Sequence, residues 1–404
     1  MHLRKISSVD VKGQKVLLRV DFNVPIENGK VADETRIVAH LETIELLRER
    51  GAKTALLSHL GRPKGKIVPE YSLKPVRKKL EEILGFEIPF VEDCISDKVP
   101  QVLQNMPEGG LALLENTRFH PEEEANDAGF AKRLSASFDI FVMDAFSAAH
   151  RAHASTRGVA DYLPAFAGLL VEKEVRILGT VRDNPPKPLV LVLGGAKVTD
   201  KIGVIESMAD KASAMLVGGA MAFPFLMIKG FSIGRSKCDE ENIEKARYIL
   251  EKIHGKDFRL VLPQDFVVSY SPENETNIGI AKVDAFPKDM MGLDIGPQTR
   301  KEFSTEIAGA GSVLWNGPMG MFERPAFAEG TRAIGAAVSK RTAEGAVTVL
   351  GGGDTAAAAN SLGFAKDVTH VSTGGGASLE FFEGKLLPGL EPLTEKQEVE
   401  GTSP

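Results

Sequence analysis

The residues best able to do chemistry in this chain fall into three groups. The first is Gly351, Gly352, Gly353, Asp354 and Thr355, set between the apolar run 347–350 and a run of alanines. That order predicts a buried strand, a tight turn and the first turn of a helix. Glycines let backbone approach a ligand with no Cβ in the way. A helix start offers free N–H groups and partial positive charge, which favour a phosphate. A carboxylate beside a phosphate is repulsive unless a cation separates them, so Asp354 is expected to hold Mg²⁺. The plainer alternative is that Asp354 caps the helix.

The second group follows apolar runs in the first half. Residues 16–20 end in Asp21, Phe22 and Asn23, and residues 54–57 in Ser58, His59, Leu60, Gly61, Arg62 and Pro63. Residues 111–114 end in Glu115, Asn116, Thr117, Arg118 and Phe119. Residues 140–143 end in Asp144, with His150, Arg151 and His153 soon after. Arginine suits planar, bidentate recognition of carboxylate and phosphate. Taken singly, each of Arg36, Arg62, Arg118 and Arg151 reads better as a solvated surface residue or one half of a salt bridge. Four of them near strand ends, with His59, point to one patch for a small anion. For the histidines, ligand contact or loop anchoring is favoured over proton transfer, because neither a Ser/His/Asp arrangement nor paired-histidine zinc spacing is present.

The third group is Lys197 and Lys201, which follow Gly194 and Gly195 after the apolar run 189–193. Their i, i+4 spacing places them on one face if the segment is helical. Two exposed lysines are the simpler reading. Cations at a helix start oppose the helix dipole, which hints at an external anion.

These groups need elements to position them. Apolar runs of strand length alternate with helix-length stretches such as 36–51 and 72–84, which predicts parallel sheets covered on both faces. Ligands then bind beyond the carboxyl ends of the strands. Strand ends in the first half carry arginine and histidine; those in the second carry glycine. Two doubly wound domains with different ligands are therefore expected, the first for a compact anion and the second for a nucleotide. Residues 171–184 form an amphipathic helical stretch stopped by Pro185 and Pro186, which predicts a helical connector at the domain boundary.

The bulk numbers agree. With 404 residues, 43% hydrophobic and 26% charged, the chain is long enough for two or three globular domains. A net charge of −6 and the lack of a polybasic block argue against nucleic acid or a membrane surface as main partner. Cys94 and Cys238 lie far apart and read as reduced thiols. No apolar run of secretory or membrane-spanning type is evident, so a cytoplasmic protein is expected. The stretch 61–66 misses the P-loop pattern, and no complete G-x-G-x-x-G follows a strand, which argues against a P-loop kinase and a standard dinucleotide dehydrogenase.

Taken together, these blocks resemble the phosphoglycerate kinase family over nearly the whole chain. The resemblance rests on residues 19–25, 58–63, 115–119 and 149–155, then on 194–198, 315–318, 351–354 and 372–380. It implies two Rossmann-like, doubly wound parallel-sheet domains joined by a connecting helix. The first, 1–170, takes phosphoglycerate, with 388–404 returning to it. A connector and hinge covers 171–187, and 188–387 binds the nucleotide.

By the same resemblance Asp21, Asn23, Arg36, His59, Leu60, Gly61, Arg62, Arg118 and Arg151 meet 3-phosphoglycerate or 1,3-bisphosphoglycerate. Gly195, Lys201, Gly219, Asn316, Glu323 and 351–355 (Gly351, Gly352, Gly353, Asp354, Thr355) meet ADP or ATP, with Glu323 at the ribose and Asp354 at Mg²⁺. Arg36, Lys197, Lys201 and the helix starts at Gly353 and Gly376 stabilise the moving phosphoryl group. A monomer with hinge bending is implied. The family usually has Gly-Thr where this chain has Ser147 and Ala148, and a third glycine where it has Ala220. Rival readings are a two-domain NAD-dependent dehydrogenase and a nucleotide-binding regulatory protein on the same scaffold.

Overall fold

A computed structural model describes residues 1–395 of the chain. It divides into two compact units: Met1–Arg176 with the segment from Leu386, and Ile177–Lys385. The described part of the segment from Leu386 ends at Glu395; residues 396–404, on which the rest of the expected return falls, lie outside the described residues.

The first unit is built on six parallel strands: β1 (Lys15–Arg19), β2 (Lys53–Leu57), β3 (Phe90–Val91), β4 (Leu111–Leu114), β5 (Ile140–Met143) and β6 (Ala165–Ala167). Their spatial order is β3-β4-β2-β1-β5-β6, every pair parallel. Leu17, Leu18, Leu56, Leu113 and Val142 are fully or almost fully buried, as near-continuous apolar runs require when a sheet is covered on both faces. β1 leads on to β2 on one side, whereas the chain later crosses to β5 on the other. The switch point therefore lies between the carboxyl ends of β1 and β5, where a ligand crevice is expected. Leu387, Leu390 and Leu393 from the end of the chain are buried in this unit, and Arg4 N–H donates to Leu393 O at 2.8 Å.

The second unit holds β7 (Leu189–Leu193), β8 (Ala214–Val217), β9 (Arg259–Val261), β10 (Ser312–Asn316), β11 (Val347–Gly351) and β12 (His370–Val371). Their order is β9-β8-β7-β10-β11-β12, again all parallel. This is the doubly wound order 3-2-1-4-5-6, with its switch point between β7 and β10. A three-stranded antiparallel sheet, Asp265–Ser269, Gly279–Lys282 and Met291–Ile295, is added to it. The βα rhythm gives no sign of that sheet.

The helical connector is Leu169–Asp183, which starts and ends slightly earlier than the periodicity predicts. It runs across the division between the two units rather than following it. Two features place its ends. Asp144 Oδ1 accepts the N–H of Leu170 at 2.9 Å in the first turn, and Pro185 and Pro186 forbid continuation.

Candidate functional site

In the first unit, the loops after β1, β2, β4 and β5 converge because their strands are neighbours in one parallel sheet. Asp21 lies two residues beyond β1. Its carboxylate takes Arg36 Nη1 at 2.8 Å, the Asn23 N–H at 3.0 Å, and the Ser147 hydroxyl. Asn23 Oδ1 accepts the Gly61 N–H at 2.9 Å, and Arg118 Nη1 donates to Gly61 O at 2.8 Å. Leu60 is buried, and its backbone is held on both sides by the Asn116 amide. His59 Nδ1 lies 3.1 Å from Arg19 Nη2. Arg151 Nε donates to His150 Nε2 at 3.2 Å. Of the expected anion ligands, only Arg62 is exposed and without an ion pair among the described residues.

The electrostatics are those of a site awaiting negative charge. Burial alone would raise the Asp21 carboxyl. The Arg36 guanidinium and the bonds from Ser147 and Asn23 outweigh it and hold Asp21 well below the usual range. Burial pushes His59 down, as do Arg19, Arg118 and Arg151 around it, against the pull of Asp21. Burial, Arg118, Arg19 and Arg151 likewise lower His153 to about 4. Asp21 thus stands ionised among guanidinium groups and histidines that resist taking up charge. Ser147, which departs from the usual glycine, binds Asp21 and so belongs to this network.

In the second unit two adjoining cavities open at the switch point. One, of about 330 Å³, has apolar walls from Phe223, Met291, Leu293 and Met319, with Gly195, Gly219, Ala220 and Glu323 at its edges. The other, of about 320 Å³, is lined by Lys197, Lys201, Asn316, Gly352, Gly353, Thr355 and Gly376. Gly195, Ala196 and Asp354 line both. An apolar slot joined to a basic, glycine-lined pocket matches the two ends of a nucleotide.

The strand ends explain the second cavity. Asn316 ends β10 beside Gly351 at the end of β11, in parallel register. Gly352 takes φ +89, and a Cβ there would stand 2.9 Å from Asn316 Nδ2, so glycine is required. The helix Gly353–Ser361 begins immediately afterwards, leaving its first N–H groups without intrahelical acceptors. Asn316 Nδ2 is buried with no hydrogen-bond partner. A buried unpaired donor is costly, so this one points to an acceptor brought by a ligand.

Two readings need correction. Asp354 does not cap the helix: Gly352 is the capping residue and receives no side-chain bond, while Asp354 is exposed on the cavity wall. Lys197 and Lys201 do not share a helical face. Lys197 precedes the short 3-10 turn Thr199–Lys201, and the α-helix begins only at Ile202. Buried Val198, whose N–H donates to Asn242 Oδ1 at 2.9 Å, pins the segment in that shape. Both lysines nevertheless line the same cavity. Burial lowers Lys201, while Asp200 and Asp354 pull it back up.

Sequence reasoning did not single out Arg19, His40, Asn116, Glu123 or Ser155. Arg19 is nearly fully buried and donates to Ser155 Oγ at 2.8 Å, and Glu123 accepts the Ser155 N–H at 2.9 Å. These residues stand behind the anion ligands; Arg19, Asn116 and Ser155 fall within the blocks 19–25, 115–119 and 149–155 but carry no assigned role there, and His40 and Glu123 fall in none. The apolar slot was missed because Met291 and Leu293 belong to the unforeseen antiparallel sheet.

For Mg²⁺ the donor set fits. The ion binds through one or two carboxylates plus phosphate oxygens and keeps several waters. Asp354 offers one exposed carboxylate between the two cavities.

Comparison with known proteins gives a uniform result. The profile of the family described as Phosphoglycerate kinase matches residues 6–385. A phosphoglycerate kinase of Dictyoglomus turgidum is 49% identical over 387 residues, covering 96% of this chain and 97% of that protein. One from Thermosipho africanus is 48% identical over 396 residues, covering 98% of each. Among solved structures, phosphoglycerate kinase from Coxiella burnetii superposes with a TM-score of 0.87 at 40% identity, covering 97% of this chain and 98% of that one.

Proposed function

The chain belongs to the phosphoglycerate kinase family, and on that premise we propose which of its residues serve the reaction. The enzyme transfers a phosphoryl group reversibly between the acyl phosphate of 1,3-bisphosphoglycerate and ADP, giving 3-phosphoglycerate and ATP. In both directions the attacking oxygen is already ionised, so no strong general base is needed. The protein's work is alignment and neutralisation of charge on the moving group.

The network around Asp21, Asn23, Arg36, His59, Gly61, Arg118 and Arg151 takes phosphoglycerate, with exposed Arg62 closing on the ligand. The two-part cavity takes the nucleotide, its base and ribose in the apolar slot near Glu323 and its phosphates against Asn316, Lys201 and the backbone of Gly353. Asp354 would hold Mg²⁺, which would supply positive charge to offset that of the phosphates. Arg36, Lys197 and Lys201, with the N–H groups at Gly353 and Gly376, stabilise the transferring phosphoryl group. The observation that carries this reading is the unpaired Asn316 Nδ2 in a basic, glycine-lined cavity beside an apolar slot.

Both substrates must meet, so the proposal includes closure about the helix Leu169–Asp183. Unchanged small-angle scattering with both ligands bound would remove closure from it. A cytoplasmic monomer acting on small molecules completes the reading; the net charge of −6 and two free thiols support it. Among the described residues no helix is long and apolar enough to cross a membrane.

The test is a coupled assay with 3-phosphoglycerate, ATP and Mg²⁺, with and without EDTA. Metal-dependent turnover that collapses in Lys201→Ala is expected. Tight nucleotide binding without turnover would favour a regulatory protein on the same scaffold.

A further inference from the structure

A second cluster of ligating side chains lies in the first unit, and the reaction makes no use of it. Asp93 and Cys94 follow β3; His120 follows the turn Thr117–Phe119 beyond β4. β3 and β4 pair in parallel, Val91 opposite Leu114, and the Glu115 N–H continues the pairing to Val91 O at 2.9 Å. The shared register therefore delivers both segments to one place. A carboxylate oxygen of Asp93, Sγ of Cys94 and a ring nitrogen of His120 all lie within 4.8 Å of one another.

The three donors differ in kind, and that difference is informative. His120 Nε2 is 2.9 Å from Asp93 Oδ1, which also accepts the Ile95 N–H at 3.1 Å, so Asp93 and His120 have a structural use on their own. Cys94 does not need to be there for that pair. It is 2% exposed, makes no disulfide, and presents its sulfur to both polar partners. Asp93 and His120 are only partly buried, which leaves a path for an ion. The His120 ring is also braced by Phe130, 5.0 Å away between centroids.

One sulfur, one imidazole nitrogen and one carboxylate oxygen form a donor set for a borderline divalent ion rather than for Mg²⁺, which prefers oxygen alone. With metal–ligand bonds of about 2.0–2.3 Å, donors in a tetrahedral site stand roughly 3.5 Å apart. The Asp93–His120 edge, 2.9 Å, must open by a fraction of an ångström, and each edge to sulfur, no longer than 4.8 Å, must come to about that same separation. We propose that Asp93, Cys94 and His120 bind one transition-metal dication of the Zn²⁺ type, with a fourth position left to water. The step is a substitution of metal-bound water: the Cys94 S–H bond breaks, a sulfur–metal bond forms, and one proton goes to solvent, while the hydrogen that His120 Nε2 gives to Asp93 moves to Nδ1 where Nε2 is the ligating atom, with no net proton released by the ring. Thiolate and carboxylate together balance the two positive charges.

The site would act on its neighbour. The His120 N–H closes the turn carrying Arg118 by donating to Thr117 O at 3.2 Å, and Arg118 pairs with Glu124 at 3.2 Å just beyond. A bound ion would hold that turn in one arrangement.

The test uses the full-length protein, stripped of metal by chelation and titrated with Co²⁺. The expected result is one equivalent bound with a thiolate-to-cobalt charge-transfer band, one proton released, and displacement of Co²⁺ by Zn²⁺. The band should disappear in Cys94→Ser and remain in Cys238→Ser. Any Co²⁺ taken by Asp354 gives no such band. In case Cys94→Ser does not fold, His120→Gln keeps the thiol and should weaken Co²⁺ binding at least about tenfold, the lower bound for loss of even an outer-shell partner. No band in the native protein, a band that persists in Cys94→Ser, or undiminished affinity in His120→Gln would each overturn the proposal.

Discussion

His40 stands between Asp21 and Asp144, with Nδ1 2.9 Å from the Asp144 carboxylate and Nε2 accepting the Asp21 backbone N–H at 2.9 Å. The carboxylate can only accept, so the ring hydrogen lies on Nδ1 and Nε2 is left free for the N–H. Asp144 continues the line through Oδ1 to Leu170 in the first turn of the connecting helix. Gly168 permits the approach: a Cβ there would meet Asp144 Oδ1 at 2.2 Å. One buried chain of hydrogen bonds thus runs from the anion network to the start of that helix.

Replacing His40 by Ala leaves the buried Asp21 N–H and one oxygen of the buried Asp144 carboxylate unpaired, while Asp144 Oδ1 keeps the Leu170 N–H. An unsatisfied buried donor or acceptor costs about 1–3 kcal/mol, more for a charged group, so the urea midpoint should fall sharply. His40→Gln, which can both donate and accept, should recover much of that loss. In the His40→Gln protein KM for 3-phosphoglycerate should rise more than KM for ATP, measured side by side. Equal changes in the two would remove His40 as a positioning residue.

Arg36 contributes a charge-assisted bond to Asp21 and is the expected bridge to the moving phosphoryl group. Such a bond contributes about 1.5–3 kcal/mol, so Arg36→Ala should lower turnover at least about ten- to a hundredfold. Steady-state assays in both directions should show similar losses. Near-native turnover would sink the assignment.

Asn316 separates binding from stability. Its Nδ2 has no partner in the folded chain, so Asn316→Ala removes an unsatisfied donor. The thermal midpoint should hold or rise, while nucleotide Kd, read by calorimetry, should weaken by up to about tenfold, the worth of one hydrogen bond. A fall in stability with unchanged Kd would mean that the amide serves the fold instead.

Asp294 sets a pH dependence in the second unit. Burial raises its carboxyl to about 7 from 3.8, against bonds from the Gly330 and Ile295 N–H groups and the charge of Arg300. Between those values the folded chain holds a proton that the unfolded chain has lost. Stability from this group is therefore full below about 4, falls as pH rises toward about 7, and is flat above. Urea midpoints at pH 5 and pH 8 should differ less in Asp294→Asn than in the native protein. An unchanged difference would show that Asp294 is ionised in the fold.

Much of this was legible before any coordinates. Apolar runs of four or five residues that end in Arg, His or Gly announced parallel strands with polar loops gathered at their carboxyl ends, because a sheet covered on both faces leaves little else exposed. Gly352 was legible as a glycine in a tight turn, Asp354 as a carboxylate out of place beside an anion site, and Pro185 and Pro186 as the end of a helix.

Spatial pairing was not legible. The packing of the first unit around its one parallel sheet brings Asp21 to Arg36 and Ser147, Asn23 to Gly61, and Cys94 to His120, each from segments well apart in the chain. No local pattern marks His40 or Glu123, since a buried polar residue is chosen by the group it must satisfy, and that group is known only once the chain is folded. The i, i+4 spacing of Lys197 and Lys201 misled for the same reason: burial of Val198 and its bond to Asn242 overrode helical continuity. Composition and periodicity determined which chemistry this protein carries and at which strand ends. Packing of those strands decided which side chains meet, which donors stay unpaired and which carboxylates keep their charge.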